Sequence, residues 1–429
     1  MKVKLPLNEV LGLHTEDISF HTPAHNGGIL NPALASAKYD VTELAYSDNL
    51  LFPEGVIAES EELVSRAYGF DGKSVYSTAG ATALIHAAIY ARAPYGNILV
   101  YGNAHRSAYS ALRRAGAKAY RYSGGDLAGA LRLSKAATLF VTSPDYYGNT
   151  LPLGEIGKIA ARYRADVIVD ASHGAHFAFS SKLPDSATLY FDTVIHSAHK
   201  TLPVLTGGAI AHVKREKETE FMRAFRDVHT TSPSYPVMAS TEWAAAYMRA
   251  NGEQLYAGVF DHIARFKERV GGLPLRVADV DDFTRLVVYS EETPAICARL
   301  AEQGIYPECY DGEKVTFIVT PFNAAKLGNV ANILSDFPYA GAKRARAPLP
   351  ELPEGLTELT FGFEAERVSL REAAGRILYE GVGAYPPGAP VLVPGEYITP
   401  EKRDILLELC ARDDLSLVGL EKGGVLVLK

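Results

Sequence analysis

The 429-residue sequence has few cysteines, no long apolar run and no block of basic residues. Cys297, Cys309 and Cys410 show no CxxC spacing, which argues against a disulfide framework and a thiolate zinc site. No run approaches the roughly twenty apolar residues of a membrane span, and the first residues turn polar too soon for a signal peptide. A net charge of −7 argues against nucleic acid as a partner. We therefore expect a cytoplasmic protein with reduced packing cysteines and neither a membrane nor a nucleic acid partner.

The composition, 47% hydrophobic and 22% charged, is typical of a globular protein, and the length predicts two or three domains. Residues 1–50 are rich in Pro, Gly, Asn and His and predict an N-terminal arm or active-site flap. We expect a large domain at 51–262 and a C-terminal α+β region at 263–429. A Pro- and Glu-rich linker near 345–356 precedes a terminal module in that region.

From residue 57 helices alternate with apolar strands, which predicts an α/β fold with a mostly parallel sheet. After these come two predicted helices, 238–249 with Trp243 as its anchor and 253–270, and then a smaller α+β domain. The predicted helices of the α/β part are 57–68, which Gly69 ends, 83–91 and 154–163, and its strands are 97–101, 137–142, 166–169, 193–195 and 209–213.

Three chemical features follow strands in chain order. Ser77 and Thr78 lead into the predicted helix 83–91, and Asp170 and Lys200 follow two later strands. A hydroxyl-rich helix start binds phosphate through its converging N–H groups. A Ser/Thr cap without a ligand is the commoner meaning of that pattern when it stands alone. The edge at which α/β strands end is where such sheets bind ligands.

Lys200 follows a β-branched run and lies beside Ser197 and His199, which suits a lysine that forms an imine. A pyridoxal phosphate enzyme needs this lysine, a phosphate site and a carboxylate such as Asp170 that pairs with the ring nitrogen. His105, which follows an intervening strand, is a candidate to stack on the ring face. The three features together predict pyridoxal phosphate as cofactor.

With these motifs the sequence resembles the pyridoxal-phosphate-dependent ornithine/lysine/arginine decarboxylases of the aspartate-aminotransferase fold type, in their shorter bacterial form. The resemblance implies a fold type I cofactor domain with smaller α+β C-terminal domains. It also implies decarboxylation of a basic amino acid to its amine in polyamine-type metabolism. The resemblance covers most of the chain, and its most specific motifs are Ser77-Thr78-Ala79-Gly80, Asp170-Ala171-Ser172-His173-Gly174-Ala175-His176, Ser197-Ala198-His199-Lys200, Thr230-Thr231-Ser232-Pro233-Ser234-Tyr235-Pro236, Tyr385-Pro386-Pro387-Gly388 and Pro394-Gly395-Glu396.

The resemblance also implies a role for each matching residue. Lys200 is the imine lysine, Asp170 the partner of the ring nitrogen, His105 the stacking residue and His199 a candidate proton donor. The segment from Thr230 to Ser232 reaches the cofactor of a neighbouring subunit, so the active unit is at least a homodimer. The other implied cofactor contacts are His173 near the ring and Ser77, Thr78 and Ser197 at the phosphate.

The distal cation of a basic amino acid needs an acidic partner, because a buried unpaired charge is costly. Glu396, Asp48 and Glu364 are the candidates. We expect no metal, since His173 and His176 at i,i+3 lack a third ligand with suitable spacing.

The sequence departs from the family pattern at Ala24, Asn26 and Tyr76, which leaves the choice of basic amino acid open. One alternative is another fold type I reaction, by a lyase or by an aminotransferase in which Arg285 or Arg376 holds the substrate carboxylate. A second alternative is a catalytically silent, cofactor-binding partner subunit.

Overall fold

The structure is a computed structural model, which describes residues 4–13, 37–339, 354–385, 390–412, 416–421 and 423–429. The departures at Ala24 and Asn26 lie outside these ranges, as do most of the predicted linker at 345–356 and residues 386–388 of the terminal motif. Within the described ranges, no helix is long and apolar enough to cross a membrane.

Helices alternate with strands through the first half of the chain, as predicted. The second helix, over residues 56–68, ends at Gly69, whose φ of +64° favours glycine, so the predicted stop is confirmed. The α-helices of the described ranges are α1 (Pro6–Leu13), α2 (Val56–Tyr68), α3 (Gly80–Arg92), α4 (Arg106–Arg114), α5 (Leu127–Ser134), α6 (Leu153–Arg162), α7 (Arg215–Val228), α8 (Tyr235–Val270), α9 (Thr293–Glu302), α10 (Leu327–Ser335) and α11 (Pro400–Cys410).

The described strands are β1 (Lys73–Ser77), β2 (Asn97–Tyr101), β3 (Ala119–Ser123), β4 (Ala136–Thr142), β5 (Asp166–Asp170), β6 (Thr193–His196), β7 (Ala209–Val213), β8 (Arg276–Val277), β9 (Arg285–Tyr289), β10 (Cys309–Tyr310), β11 (Lys314–Ile318), β12 (Gly355–Leu359), β13 (Ala365–Ser369), β14 (Gly383–Tyr385), β15 (Ser416–Val418), β16 (Leu420–Glu421) and β17 (Gly424–Leu428). Strands β2 and β7 have the predicted bounds, and β4, β5 and β6 each differ from the prediction by one residue.

The chain forms two compact units, one of residues 1–94 and 167–253 and the other of residues 95–166 and 254–429. In the first unit the strand order is β1-β7-β6-β5. Strands β5 and β6 are parallel, whereas β7 is antiparallel to both β6 and β1. Helix α3 packs against α7. The ends of β1 and β5 and the loops after β1, β5 and β6 carry most of the predicted cofactor-binding residues.

In the second unit the strand order is β4-β2-β3-β12, with β2 parallel to β3 and β4 and with β12 antiparallel to β3. The predicted smaller α+β part is confirmed as an antiparallel sheet of order β10-β11-β9-β8 with helices α9 and α10. Residues 354–429, which we call the C-terminal module, contain the sheet β13-β17-β16 and their own apolar core, in which Leu378, Ile398 and Leu406 are fully buried.

The prediction of two helices at 238–249 and 253–270 is wrong, because α8 is continuous over 36 residues. Gly252 is not a helix stop. A Cβ at this position would lie 2.5 Å from the backbone oxygen of Phe179, so the glycine allows close packing inside the helix. Trp243 is not a core anchor either, since it is 39% exposed and stacks on Tyr247 with ring centroids 4.8 Å apart.

Three further details of the structure differ from the predictions made from the sequence. The N-terminal segment contains α1, whose first turn is held by Glu242: its carboxylate accepts the N–H groups of Leu7 and Asn8, each at 3.0 Å. Residues 355–356 of the predicted linker begin strand β12. Cys410 is exposed and is therefore not a packing residue.

Candidate active site

Lys200 ends a short 3-10 turn, Ala198–Lys200, directly after β6. Its Nζ lies 3.1 Å from Nε2 of His173, in the loop after β5. The lysine is half-buried and the histidine is 9% exposed. The two strand-end loops thus bring together two residues that were predicted to share one site.

Asp170 is the last residue of β5 and is 2% exposed. One of its oxygens, Oδ1, accepts the backbone N–H of Ser172 at 3.1 Å and the Ser172 hydroxyl at 2.5 Å. Both hydrogen bonds from Ser172 use the same oxygen, and neither involves Oδ2. We call Asp170, His173 and Lys200 the lysine cluster.

Ser77 and Thr78 form the turn between β1 and α3. The Ser77 hydroxyl donates to Gly80 O at 3.0 Å and accepts the Ala79 N–H at 3.1 Å. Gly207 approaches this turn so closely that a Cβ there would lie 2.8 Å from Thr78 O. The N-cap residue of α3, Ala79, makes no side-chain cap hydrogen bond, and the Gly80 N–H donates to Gly207 O at 2.8 Å. The turn therefore places hydroxyls beside a helix N-terminus, which is the arrangement that binds phosphate.

His199 is oriented by the carbonyl of Gly208. That carbonyl accepts both the backbone N–H of His199, at 3.1 Å, and its ring nitrogen Nδ1, at 3.0 Å. Nδ1 therefore carries the proton of the neutral ring, and Nε2 is its basic nitrogen. Ser197, also predicted at the phosphate, is 2% exposed and its Oγ lies 3.5 Å from His199 Nδ1.

His229 is a site residue that the sequence reading missed. Its Nε2 accepts the N–H of Thr78 at 3.1 Å, and its Nδ1 donates to the carbonyl of Thr230 at 3.0 Å. Burial lowers its pKa, which favours the neutral ring that this pattern requires. Its place directly before Thr230 was the available sequence signal. Thr230 and Ser232 themselves are exposed, and their reach to a neighbouring subunit stays a prediction.

The departure at Tyr76 has a structural explanation. The Tyr76 side chain is 1% exposed and its hydroxyl lies 2.7 Å from Ser60 Oγ, so the ring belongs to the core beneath the turn. Its N–H donates to Glu61 at 3.1 Å. Burial raises the pKa of Glu61 to about 8, although Lys73 lies 3.8 Å away. This departure leaves the groups of the lysine cluster in place.

His105 lies in the second unit and is exposed. It caps α4: its Nδ1 accepts the N–H of Ser107 at 3.2 Å and lies 2.8 Å from the Ser107 hydroxyl. The ring is therefore held at the start of α4 with its proton on Nε2. Its stacking on a cofactor stays a prediction.

The three carboxylates predicted as candidates to bind the distal cation of the substrate differ in their surroundings. Glu396 is 1% exposed and forms ion pairs with Arg121 at 3.0 Å and Lys402 at 3.4 Å, which argues against a role as partner of a substrate cation. Glu364 is exposed. Asp48 accepts four backbone N–H groups at the turn before α2, from Asn49, Glu54, Gly55 and Ile57.

The two arginines considered for an aminotransferase are also engaged or buried. Arg285 is 1% exposed and burial lowers its pKa. Arg376 donates to Glu366 at 2.5 Å and to the carbonyl of Leu428 at 2.7 Å. Neither arrangement favours capture of a substrate carboxylate.

Comparison with known proteins identifies a family. The family domain described as "Orn/Lys/Arg decarboxylase, major domain" matches residues 6–120 and 129–303 of this chain. The C-terminal domain of the same family matches residues 353–415. The uncharacterized protein YaaO of Bacillus subtilis is 31% identical over 89% of each chain. An arginine decarboxylase of the same species is 26% identical over 90% of this chain and 89% of its own. Among solved structures, the Francisella novicida lysine decarboxylase LdcF has a TM-score of 0.78 at 17% identity, over 99% of this chain and 81% of its own. The likeness confirms the α/β fold type I architecture.

Proposed function

This chain belongs to the Orn/Lys/Arg decarboxylase family, and we propose that it removes CO2 from arginine, lysine or ornithine with pyridoxal phosphate as cofactor. The product is the corresponding amine, as in polyamine-type metabolism. The active unit we propose is at least a homodimer. Arginine is the first substrate to test, because an arginine decarboxylase is among the relatives that match most of the chain.

The observation that carries the proposal is the lysine cluster. Lys200 Nζ lies 3.1 Å from His173 Nε2, and Asp170 ends the strand, β5, that leads into the loop of His173. A lysine amine held beside an imidazole, with a buried carboxylate on the adjoining strand, is the donor set that pyridoxal phosphate requires.

The surrounding groups also fit the cofactor. The N-terminus of α3, whose N-cap residue Ala79 makes no side-chain cap, would supply donors for a phosphate together with Ser77 and Thr78. Asp170 receives both hydrogen bonds from Ser172 on Oδ1, and its Oδ2 would accept a protonated ring nitrogen. Ser172 would hold that carboxylate, and His229 would hold Thr78 in place through its backbone N–H.

Each residue then has a task in decarboxylation. Bound pyridoxal phosphate supplies the electron sink for the bond that breaks between Cα and the carboxylate. Lys200 would hold the cofactor covalently until a substrate amine replaces it. His199 would return a proton to Cα from Nε2 after that nitrogen has itself taken up a proton, because its Nδ1–H is committed to Gly208 O. Asp170 would keep the ring nitrogen protonated.

The experiment is a substrate panel with the purified full chain and added pyridoxal phosphate. Arginine, lysine, ornithine and a carboxylated polyamine would be tested for CO2, amine and keto acid. We expect CO2 and amine in equal amounts from one basic substrate. Keto acid without CO2 would indicate an aminotransferase. Cofactor binding without any turnover would instead indicate a silent partner subunit.

A further inference from the structure

A buried ion cluster joins the C-terminal module to strand β3. Arg121 Nη1 lies 3.0 Å from Glu396 Oε1, and Lys402 Nζ lies 3.4 Å from Glu396 Oε2. The side chains of Arg121 and Glu396 are only 4% and 1% exposed. The contact spans 275 positions of sequence. We call Arg121, Glu396 and Lys402 the glutamate cluster.

The same arginine holds the loop that carries His105. Arg121 Nη2 donates to Asn103 Oδ1 at 3.4 Å, two residues before His105. Tyr109, in the helix that His105 caps, is fully buried beside Arg121 and Ala104. One guanidinium therefore connects Glu396 of the C-terminal module with the Asn103–His105 loop.

A second contact fixes the other end of α4 to the module. The Arg113 guanidinium lies over the Tyr379 ring, 4.4 Å from its centroid, and donates to the Tyr379 carbonyl at 3.3 Å. Strand β12 of the module also pairs with β3, where Thr357 is opposite Arg121. The module thus contacts both β3 and the helix that begins at His105.

We propose that Arg121 and Glu396 are positioning residues, through which the C-terminal module sets the place of His105. The inference rests on the proposed function and on the prediction that His105 stacks on the cofactor ring. The planar guanidinium presents two N–H groups in fixed directions, one toward the carboxylate and one toward Asn103. Without the carboxylate a buried arginine is poorly tolerated and shifts toward water, which would release Asn103. A site group must be held to within roughly half an ångström to act.

The first test is amide hydrogen exchange on the full chain without cofactor, which requires no turnover. Glu396→Gln keeps the side-chain volume and removes the charge. We expect amides of residues 103–108 to exchange about 10-fold faster in this variant. The matched control is Glu421→Gln, which removes an exposed carboxylate of the same module, 2.9 Å from Arg367. Unchanged exchange at 103–108 in the Glu396 variant would overturn the proposal.

The second test is coupling to His105 in the cofactor-loaded protein. We expect Glu396→Gln to lower kcat about 10-fold, with KM within about twofold, and to alter the visible circular dichroism of bound cofactor as His105→Ala does. In the double variant Glu396→Gln with His105→Ala, kcat should be no lower than in His105→Ala alone. Fully additive losses would show that Glu396 acts independently of His105 and would overturn the proposal.

Asn103→Ala provides a second variant if Glu396→Gln does not fold. It removes the exposed amide oxygen that accepts a hydrogen bond from Arg121 and leaves the buried ion pair between Arg121 and Glu396 intact. It should raise exchange at residues 104–108 and show the same coupling to His105→Ala, and failure on both counts would again overturn the proposal. If the unaltered chain decarboxylates nothing, the proposed function fails, whereas the exchange result still decides whether Glu396 holds the loop.

Discussion

The lysine cluster and the glutamate cluster both hold charged groups away from water, but with different partners. The Asp170 carboxylate receives its hydrogen bonds from the neutral Ser172, and Lys200 Nζ contacts an imidazole nitrogen. Glu396, in contrast, has a cation at each carboxylate oxygen, at 3.0 Å and 3.4 Å.

This difference distinguishes side chains that are available to bind a ligand from side chains that stabilise the fold. A buried carboxylate that neutral donors orient keeps its charge for an incoming cation, such as a protonated ring nitrogen. A buried carboxylate already paired with two cations has little to gain from a third. The comparison therefore assigns chemistry to the lysine cluster and positioning to the glutamate cluster. Substitutions in the lysine cluster should mainly lower activity, whereas substitutions in the glutamate cluster should mainly lower the free energy of unfolding.

The largest effect is expected for Lys200→Ala. Loss of the amine that holds the cofactor should lower kcat by at least about 1,000-fold and leave the unfolding midpoint nearly unchanged. Decarboxylation would be followed together with the mass of the protein after borohydride reduction, which fixes cofactor bound to lysine. The exposed Lys182 offers the control variant Lys182→Ala. Full activity in Lys200→Ala would contradict the role of Lys200. So would a gain in mass after reduction equal to that of the unaltered chain.

The glutamate cluster should instead show its largest effect in stability. Glu396→Gln leaves two cations near a neutral group, which should lower the free energy of unfolding by about 3–5 kcal/mol. Replacing Arg121 and Glu396 together by Met removes two of the three charges of the cluster and leaves only Lys402 without its carboxylate, so it should recover part of that loss. Denaturant unfolding of the two variants measures the difference. A double variant as unstable as the single one would show that packing, and not charge, is what the cluster contributes.

The lysine cluster could be predicted from sequence because its parts follow local rules. Asp170 and Lys200 each follow a short apolar strand, and the ends of neighbouring parallel strands meet at one sheet edge. The hydroxyls at 77–78 precede a helix, which is again a local pattern. Strands β2 and β7 were predicted to the residue for the same reason.

The contacts missed from sequence join distant segments. His229 meets Thr78 across 151 positions, and Arg121 meets Glu396 across 275. No periodicity encodes such pairs, since each partner by itself is an ordinary histidine, arginine or glutamate. The prediction of two helices in place of α8 failed similarly, because Gly252, between them, packs against the backbone of Phe179, 73 positions away. Family resemblance to the terminal motif marked Glu396 as important without revealing that its partners lie in the same chain.

A smaller effect on activity is expected for Asp170→Asn. The amide fits the same space and keeps a bond to Ser172, but it cannot hold a positive ring nitrogen. We expect kcat to fall about 100-fold with the cofactor still attached to Lys200. Ser172→Ala should cause a milder loss in the same direction, because it only loosens the carboxylate. If Asp170→Asn retains full kcat, a different group must serve the ring nitrogen.

His229 should affect cofactor affinity more than catalysis. His229→Leu removes the acceptor of the Thr78 N–H, 3.1 Å away, and should raise the dissociation constant for pyridoxal phosphate about 10-fold. At saturating cofactor kcat should stay within about twofold. His229→Gln keeps an acceptor of similar reach and should restore part of the affinity. Equal affinity in the leucine variant would show that the Thr78 turn does not depend on His229.

The smallest effect is expected for Glu61, a buried carboxylate whose surroundings are intermediate between those of Asp170 and those of Glu396. It has one cation, Lys73 at 3.8 Å, and burial raises its pKa to about 8 from an ordinary value of 4.5. The folded chain therefore keeps a proton that the unfolded chain loses above pH 4.5, so the stability from this group is present at low pH and is lost as pH rises through 8. Between pH 7 and 8 the free energy of unfolding should fall by about 1 kcal/mol more in the unaltered chain than in Glu61→Gln. Denaturant unfolding at the two pH values measures this difference. Parallel pH profiles would mean that Lys73 pairs with Glu61 as fully as Arg121 does with Glu396, and the contrast between the two glutamates would disappear.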